Sequence, residues 1–307
     1  MSDSIRRDGD QSHSPAETVD QSPLNRRRDA SVGTLTGIIK ANMNRGRLSA
    51  IPFLSAAFPK AEGYWDILAE LAQNGADIIE IGVPFSDPVA DGPVVAAASQ
   101  KALANGGGLS YIFEGLARNA SRLKCGLVLM GYVNPFLQYA WARAVKNVGG
   151  QNVQAVTAES LKLLAADLKA AGIHGLIVPD LPLEESGPWL EAFKGSLDLI
   201  PLVGPNTSLE KMKRYAQSGM SGYVYVVSVM GTTGVRQGLP PEVTETLRRA
   251  RQAFDLPLAL GFGLSSADQV QSIDPQYRPE AAVFGSALIK HLEAGGRAED
   301  FMRNWNT

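Results

Sequence analysis

The sequence predicts an α/β protein of the (β/α)8 TIM-barrel class, with an N-terminal helix that caps the bottom of the barrel. Two observations favour this class: eight short apolar runs follow one another along the chain, and amphipathic helical patterns lie between them. Runs that are apolar at nearly every position are typical of parallel strands covered on both faces. An open doubly wound sheet is the alternative, but it would favour a GxGxxG loop after the first strand, and the sequence has none there.

The eight strand candidates are short and rich in leucine or β-branched residues. In chain order they are IPFLSAAF (51–58), DIIEIGV (77–83), CGLVLMGY (125–132), HGLIVPD (174–180), DLIPLVG (198–204), GYVYVVS (222–228), LPLALGF (256–262) and AAVFGS (281–286). The helical patterns between them include 63–76, 157–172, 208–219 and 240–254. Gly75 and Gly172 are expected to end the first two of these helices. The segment 33–49 precedes the first strand and is predicted to be the capping helix.

The composition bounds the domain organisation and the partners. Residues 1–30 are polar and are expected to form a disordered extension, followed by one catalytic domain over 31–307. This extension has no hydrophobic signal segment, and no apolar run reaches the roughly 18 residues of a membrane span. We therefore expect a cytoplasmic protein without membrane contact. The net charge of −2 shows no basic excess, which argues against nucleic acid as a partner.

One cysteine and three histidines leave few candidates for a nucleophile or a metal site. Cys125 lies in an apolar run, without a nearby histidine that would lower its pKa, so a buried structural thiol is expected. His13, His174 and His291 are scattered along the chain. This scatter argues against a histidine metal site and against a Ser-His-Asp triad. We expect no metal.

The end of the second predicted strand carries the best candidate for acid–base chemistry. Because side chains alternate along a strand, Glu80 faces the barrel lumen if its flanking isoleucines face the helices. A lumen carboxylate is costly unless it is paired, hydrated or used, so a structural glutamate is the alternative. The loop 83–93, stiffened by three prolines, follows with Asp87 and Asp91. These aspartates are either turn residues or the second carboxylate of an acid–base site.

Three clusters of small residues follow the last three predicted strands. They are GTTG (231–234), GFGLSS (261–266) and FGS (284–286). Glycine lets backbone N–H groups approach an anion, and a phosphate site after the seventh and eighth strands recurs in barrels of this class. A phosphorylated substrate beside two carboxylates indicates a lyase or an isomerase that acts on a sugar phosphate.

The segment IEIGVPFSDPVADGP (79–93) resembles the signature of the tryptophan synthase alpha subunit family, and the resemblance extends over about residues 35–293. It implies retro-aldol cleavage of indole-3-glycerol phosphate to indole and glyceraldehyde 3-phosphate. Further segments occur in the family's order: PFLSAAFP (52–59), LMGYVNPF (129–136), GLIVPDLPLEES (175–186), GYVYVVSVMGTTGVR (222–236), GFGLSSADQV (261–270) and FGSALIK (284–290).

The resemblance also implies a role for each matching residue. Glu80 matches the catalytic general acid–base, and Asp91 matches the aspartate that engages the indole N–H. For the aromatic positions, simple core packing is the alternative reading. The substrate-binding matches are Phe53 and Tyr132 around the indole ring, Tyr225 near the catalytic glutamate, Thr233 in the mobile loop after the sixth strand, and Gly234, Gly263, Gly285 and Ser286 in the phosphate cradle.

The same resemblance implies a partner. In the family, a beta subunit carries pyridoxal phosphate and receives the indole within an α2β2 heterotetramer, so no cofactor is expected in this chain. The chain departs from the family pattern in its polar N-terminal segment and in an insertion at about 140–157. Because the insertion follows the third strand, it lies on the face where the family docks the beta subunit. We expect it to alter that interface while the chemistry is kept.

Three other functions stay open at this point. The chain is either a stand-alone lyase without an obligate partner, a non-catalytic allosteric activator of a beta subunit, or another phosphate-binding barrel such as an epimerase. Retention of Glu80, Asp91 and all three glycine clusters argues against the activator. An epimerase calls for a different pattern at the strand ends, typically with metal ligands, which the scattered histidines do not provide.

Overall fold

Alternating strands and helices make up the chain in the computed structural model, which describes residues 34–147, 157–227, 240–261, 263–264 and 266–305. The strands found in these ranges are β1 (Ser49–Ser55), β2 (Ile78–Gly82), β3 (Gly126–Met130), β4 (Gly175–Ile177), β5 (Asp198–Leu199), β6 (Leu202–Val203), β7 (Val224–Val227), β8 (Leu258–Gly261) and β9 (Ala281–Phe284). All paired strands are parallel, in the order β5-β4-β3-β2-β1-β9-β8-β7-β6.

Helices connect the strands, as expected for parallel pairing. In the described ranges they are α1 (Leu35–Met43), α2 (Tyr64–Gln73), α3 (Pro93–Ala104), α4 (Leu109–Asn119), α5 (Val133–Asn147), α6 (Ala158–Ala170), α7 (Gly187–Phe193), α8 (Leu209–Gln217), α9 (Pro241–Ala253), α10 (Ala267–Gln271), α11 (Ser286–Glu293) and α12 (Ala298–Trp305). Short 3-10 turns lie at Ala120–Arg122 and Leu183–Glu185. None of these helices has both the length and the apolar composition needed to cross a membrane.

The fifth predicted strand is observed as two short strands, and this division closes the barrel. β5 pairs with β4, whereas β6 pairs with β7 at the other edge of the sheet. Between them, Ile200 N donates to Leu176 O, and Pro201 O accepts from Tyr225 N, both at 2.9 Å. The run 198–203 therefore joins the two edges. Proline has no N–H to continue a ladder, which accounts for the break.

The bottom of the barrel is closed by α1, as the sequence predicts. Leu35 lies against Gly126 and Gly175 at the starts of β3 and β4, so close that a Cβ on either glycine would come within 3.1 Å of it. The Thr36 hydroxyl also donates to Gly222 O at 2.5 Å, just before β7. The helix is thus held both by apolar contact in the lumen and by a polar contact at its rim.

A hydrogen-bonded cluster at this end, the floor network, joins α1 to β1 and β2. Arg47 donates to both carboxylate oxygens of Asp77, at 3.0 and 2.5 Å, and to Asn42 Oδ1 at 2.7 Å. Asp77 Oδ2 also accepts from Ala50 N at 2.9 Å. Asn42 in turn donates to the buried Ser49 hydroxyl at 3.0 Å. Each polar group of this cluster therefore has a partner, which offsets the cost of burying it.

Local sequence signals account for several helix boundaries. Thr157 caps α6, where its hydroxyl accepts from Ser160 N and the Ser160 hydroxyl accepts from Thr157 N. Gly75 and Gly172, with φ of 102° and 83°, follow α2 and α6 as predicted. The first residues of the predicted insertion form the second half of α5, whereas 148–156 lie outside the described residues. The predicted N-terminal extension, 1–30, also lies outside them.

Candidate active site

Glu80 lies on β2 and is fully buried. In the sheet it stands opposite Phe53 of β1 and Val128 of β3. Its Oε1 accepts a hydrogen bond from the Tyr223 hydroxyl at 2.6 Å, while Oε2 has no partner among the described residues. Burial raises the pKa of Glu80 to about 8, although the Tyr223 hydrogen bond opposes this effect. At neutral pH the group is therefore a protonated acid.

Asp91 ends the loop that connects β2 to α3, and it differs from Glu80 in charge. Its Oδ2 accepts from the Tyr132 hydroxyl at 3.1 Å, and the same hydroxyl accepts from Ala90 N at 2.9 Å. Burial raises the pKa of Asp91 to about 6, against the lowering effect of the Tyr132 hydrogen bond. Asp91 is thus mostly ionised at neutral pH. Two carboxyl groups whose environments separate their pKa values can serve as acid and as electrostatic stabiliser.

A cavity at the carboxyl end of the strands brings together three residues singled out in the sequence, Phe53, Asp91 and Tyr132. Gly82, which follows Glu80 by two residues on the same face of β2, also lines it. Glu80 therefore lies one row deeper in the barrel than the cavity wall. Lining residues that the sequence did not single out include Ser55, Ser99, Met130 and Pro179.

Aromatic rings occupy the upper lumen because the neighbouring strands end in glycine. The Phe53 ring lies against Gly82 and Gly285, where an added Cβ would come within 2.6 and 2.8 Å of it. In the same way, a Cβ on Gly261 at the end of β8 would overlap the Tyr225 hydroxyl. These glycines therefore provide the space for the two rings, a role separate from binding an anion.

Tyr225 and Tyr223 both face the acidic residues. Burial, followed by the negative charge of Glu80, raises the pKa of each tyrosine well above its usual value, and Asp91 adds to this effect at Tyr225. The sequence analysis singled out only Tyr225. Strand alternation is the signal that would have found Tyr223, because residues two apart on a strand share a face.

The predicted phosphate cradle is described in part. Gly263 follows β8 with φ of 84°, and Gly285 follows the adjacent β9 and precedes Ser286, the first residue of α11. The N–H groups of a first helical turn have no partner within the helix and attract anions. Thr233 and Gly234 lie outside the described residues. The candidate cradle therefore consists here of the ends of β8 and β9.

The remaining cysteine and histidines have structural surroundings. Cys125 is buried, as predicted, and burial raises the pKa of its thiol to about 12. His174 Nδ1 accepts from Leu127 N at 3.2 Å, and His291 Nε2 lies 2.9 Å from Arg297 O. In the described part of the chain, no group of three or more histidine, cysteine or acidic residues could hold a metal ion.

Comparison with known proteins places the chain beside one family. Residues 39–305 match the family model for the tryptophan synthase alpha chain. The tryptophan synthase alpha chain of Desulfovibrio desulfuricans is 54% identical over 268 residues, which cover 87% of this chain and 97% of that one. The corresponding protein of Nitratidesulfovibrio vulgaris is 53% identical over 277 residues, covering 90% and 98%.

Solved structures give the same result. A structure of tryptophan synthase from Mycobacterium tuberculosis aligns with a TM-score of 0.72 at 28% identity, covering 90% of this chain and 99% of that one. A structure from Pyrococcus furiosus, described in terms of mutual activation of the tryptophan synthase α2β2 complex, has a TM-score of 0.69 at 31% identity, with 83% and 95% covered.

Proposed function

This chain belongs to the tryptophan synthase alpha chain family, and on that premise we propose that Glu80 and Asp91 carry its chemistry. The alpha chain is a lyase of tryptophan biosynthesis that cleaves indole-3-glycerol phosphate into indole and glyceraldehyde 3-phosphate. The reaction needs an acid that protonates C3 of the indole ring and a base that accepts the proton of the adjacent side-chain hydroxyl. It also needs a group that stabilises the charge formed in between.

Glu80 is proposed to perform both proton transfers. Its protonated carboxyl donates to C3, and the resulting carboxylate then accepts the hydroxyl proton as the bond between C3 and the side chain breaks. The electrons of that bond return to the ring, the hydroxyl carbon becomes the aldehyde, and Glu80 ends as it began. The observation that carries this proposal is the buried, protonated Glu80, whose Oε2 lacks a partner among the described residues.

Asp91 is proposed to stabilise the intermediate charge. Protonation of C3 places positive charge on the indole nitrogen, and an ionised carboxylate beside that N–H stabilises the charge electrostatically. Tyr132 keeps Asp91 in the cavity wall, next to the ring of Phe53. This arrangement supports a site in which the indole lies among Phe53, Tyr132 and Tyr225.

The phosphate is proposed to bind where β8 and β9 end. Gly263, Gly285 and Ser286 would offer backbone N–H groups to it, with Thr233 and Gly234 contributing from the segment outside the described residues. Binding energy from this remote group positions the reacting bond. A substrate analogue without phosphate should therefore lose kcat as well as affinity.

Indole release from indole-3-glycerol phosphate tests the two carboxyl roles. The wild-type chain should release indole, and Glu80→Gln should lower kcat by about 10³-fold, within the range for loss of a general acid–base. Asp91→Asn should lower it by about 10²-fold, since one electrostatic stabiliser is lost. Glu280→Gln, at the start of β9, is the control, and its kcat should match the wild type. A Glu80→Gln variant that keeps a tenth of the wild-type kcat would overturn the assignment.

We also propose that the chain works with a beta subunit in an α2β2 heterotetramer and passes indole to it. In this arrangement, pyridoxal phosphate belongs to the beta subunit, and this chain needs no cofactor. Co-elution with a beta chain and mutual activation would support the complex, whereas full activity without any association would favour a stand-alone lyase. A cytoplasmic location stays a prediction.

The predicted insertion is proposed to modify this partner interface. Deleting 148–156 tests the proposal and leaves α5 intact, including Tyr139 and Arg143, which both hold Asp167 of α6. The affinity for a beta chain should change while the kcat of the isolated chain is kept. Unchanged affinity and unchanged activation would remove the proposal.

A further inference from the structure

The inference concerns the loop that carries Asp91, and it rests on the role proposed for that residue. Residues 83–92 connect β2 to α3, and the loop tip is open to solvent, since Val89 is 85% exposed. An aspartate next to such a tip needs other contacts to hold it in place. Side chains from two elements, α3 and the end of β3, supply contacts of this kind.

Ser99 of α3 holds the first part of the loop. Its hydroxyl accepts from Phe85 N at 3.0 Å and donates to Phe85 O at 3.1 Å, so one side chain binds both backbone groups of a single residue. Gln100 adds a hydrogen bond from Nε2 to Ser86 O at 2.8 Å. Ser99 is only 5% exposed and lies on the buried face of α3 that also includes Val95. The bond pair is therefore shielded from water.

The Phe85 ring passes this constraint to the far part of the loop. It packs on the ring of Tyr132, with centroids 5.2 Å apart and planes inclined by 32°. The Tyr132 hydroxyl in turn contacts both Ala90 N and Asp91 Oδ2. Ser99, Phe85, Tyr132 and Asp91 thus form one continuous series of contacts. Ser99 and Asp91 also line the same cavity.

We propose that Ser99 is a positioning residue for the lyase reaction: by fixing the backbone of Phe85, it sets where Tyr132 holds Asp91. Without the hydroxyl, the Phe85 N–H and C=O would be left unpaired in a shielded site. They regain partners only if the loop moves toward water. Asp91 would then lose its fixed position beside the indole nitrogen.

The kinetic test compares Ser99→Ala with Ser99→Thr, which keeps a hydroxyl at the same carbon. Ser99→Ala should lower kcat/KM by about tenfold, the size expected when one or two hydrogen bonds are lost. The loss should fall mainly on kcat, because Asp91 acts on charge that develops in the transition state. Ser99→Thr should restore most of it. Ser49→Ala is the matched control, since it removes an equally buried, hydrogen-bonded hydroxyl at the floor of the barrel.

A double-mutant cycle separates positioning from general destabilisation. If Ser99 acts through Tyr132, then Ser99→Ala combined with Tyr132→Phe should cost little more kcat than the larger single change. Fully additive losses would overturn the proposal, as would a Ser99→Ala effect no greater than that of Ser49→Ala.

Hydrogen exchange of the peptide covering 84–92 reports on the loop without substrate. Exchange there should rise in Ser99→Ala and stay unchanged in Ser49→Ala, and unchanged exchange in both would overturn the proposal. If wild-type chain releases no indole, the proposed function fails, while this exchange measurement still decides whether Ser99 orders the loop.

Discussion

The two ends of the barrel treat buried carboxyl groups in opposite ways. At the floor, Asp77 receives two hydrogen bonds from Arg47 and one from Ala50 N. Three residues further along the chain, Glu80 has one hydrogen bond, from Tyr223, and its other oxygen lacks a partner among the described residues. Both groups belong to one strand and its approach, so their difference comes from their surroundings.

This difference shows how one barrel separates stability from chemistry. A carboxylate with a full set of charged and backbone donors joins elements together and stays ionised. A carboxyl buried without them costs stability, but it keeps a proton at neutral pH and leaves an oxygen available for substrate. We therefore expect changes at the floor to affect folding and changes at the upper lumen to affect turnover.

The largest expected effect is on the pH dependence of stability in Glu80→Gln. Between the usual carboxyl pKa and about 8, native Glu80 keeps a proton that the unfolded chain has lost. The stability of the wild type therefore falls with rising pH, by about 1.4 kcal/mol per unit, and Glu80→Gln lacks this loss. The free-energy difference should move in favour of the variant by on the order of 4 kcal/mol from pH 5 to pH 8. Urea unfolding measures it, and a constant difference would contradict the comparison.

The next effect tests the floor. Asp77→Ala removes the partner of Arg47 and of Ala50 N, and it should lower the free energy of unfolding by about 2–3 kcal/mol. Because the floor network lies at the opposite end from the cavity, kcat/KM should stay within about twofold under conditions where the variant is folded. A parallel fall in kcat/KM would show that the two ends are coupled.

The pH profile of kcat/KM tests the upper lumen. It should be bell-shaped, since Asp91 must be ionised, above about pH 6, and Glu80 protonated, below about pH 8. Tyr132 faces Asp91, and Tyr223 and Tyr225 face Glu80. Outside these limits the value should fall by about tenfold per pH unit. Asp91→Asn should lose the acid limb; an unchanged acid limb would assign it to another group.

The smallest effect belongs to the Tyr132 hydroxyl. Tyr132→Phe should lower kcat/KM by about fivefold, the equivalent of one hydrogen bond. It should also move the acid limb to higher pH, because the Tyr132 hydrogen bond lowers the pKa of Asp91. Tyr139→Phe is the matched control, as Tyr139 donates to Asp167 at 3.0 Å between α5 and α6. Equal effects in both variants would refute a specific role for Tyr132.

The sequence by itself determined the fold class and much of the local structure. Apolar runs identified the strands, Gly75 and Gly172 marked two helix ends, and the Thr157 cap was predicted correctly. Alternation along β2 also predicted that Glu80 points inward, and its full burial agrees. These features depend on periodicity and on backbone preferences of nearby residues, which a single sequence contains.

Only the tertiary structure decided what each inward residue meets. Glu80 and Tyr223 are 143 positions apart, and Tyr132 and Asp91 are 41 apart, so no local pattern pairs them. The same holds for Ser99, which as one small residue on the buried face of α3 gives no sequence signal. The charge states of Glu80 and Asp91 follow from burial and hydrogen bonding, which exist only after distant strands and helices have closed around them.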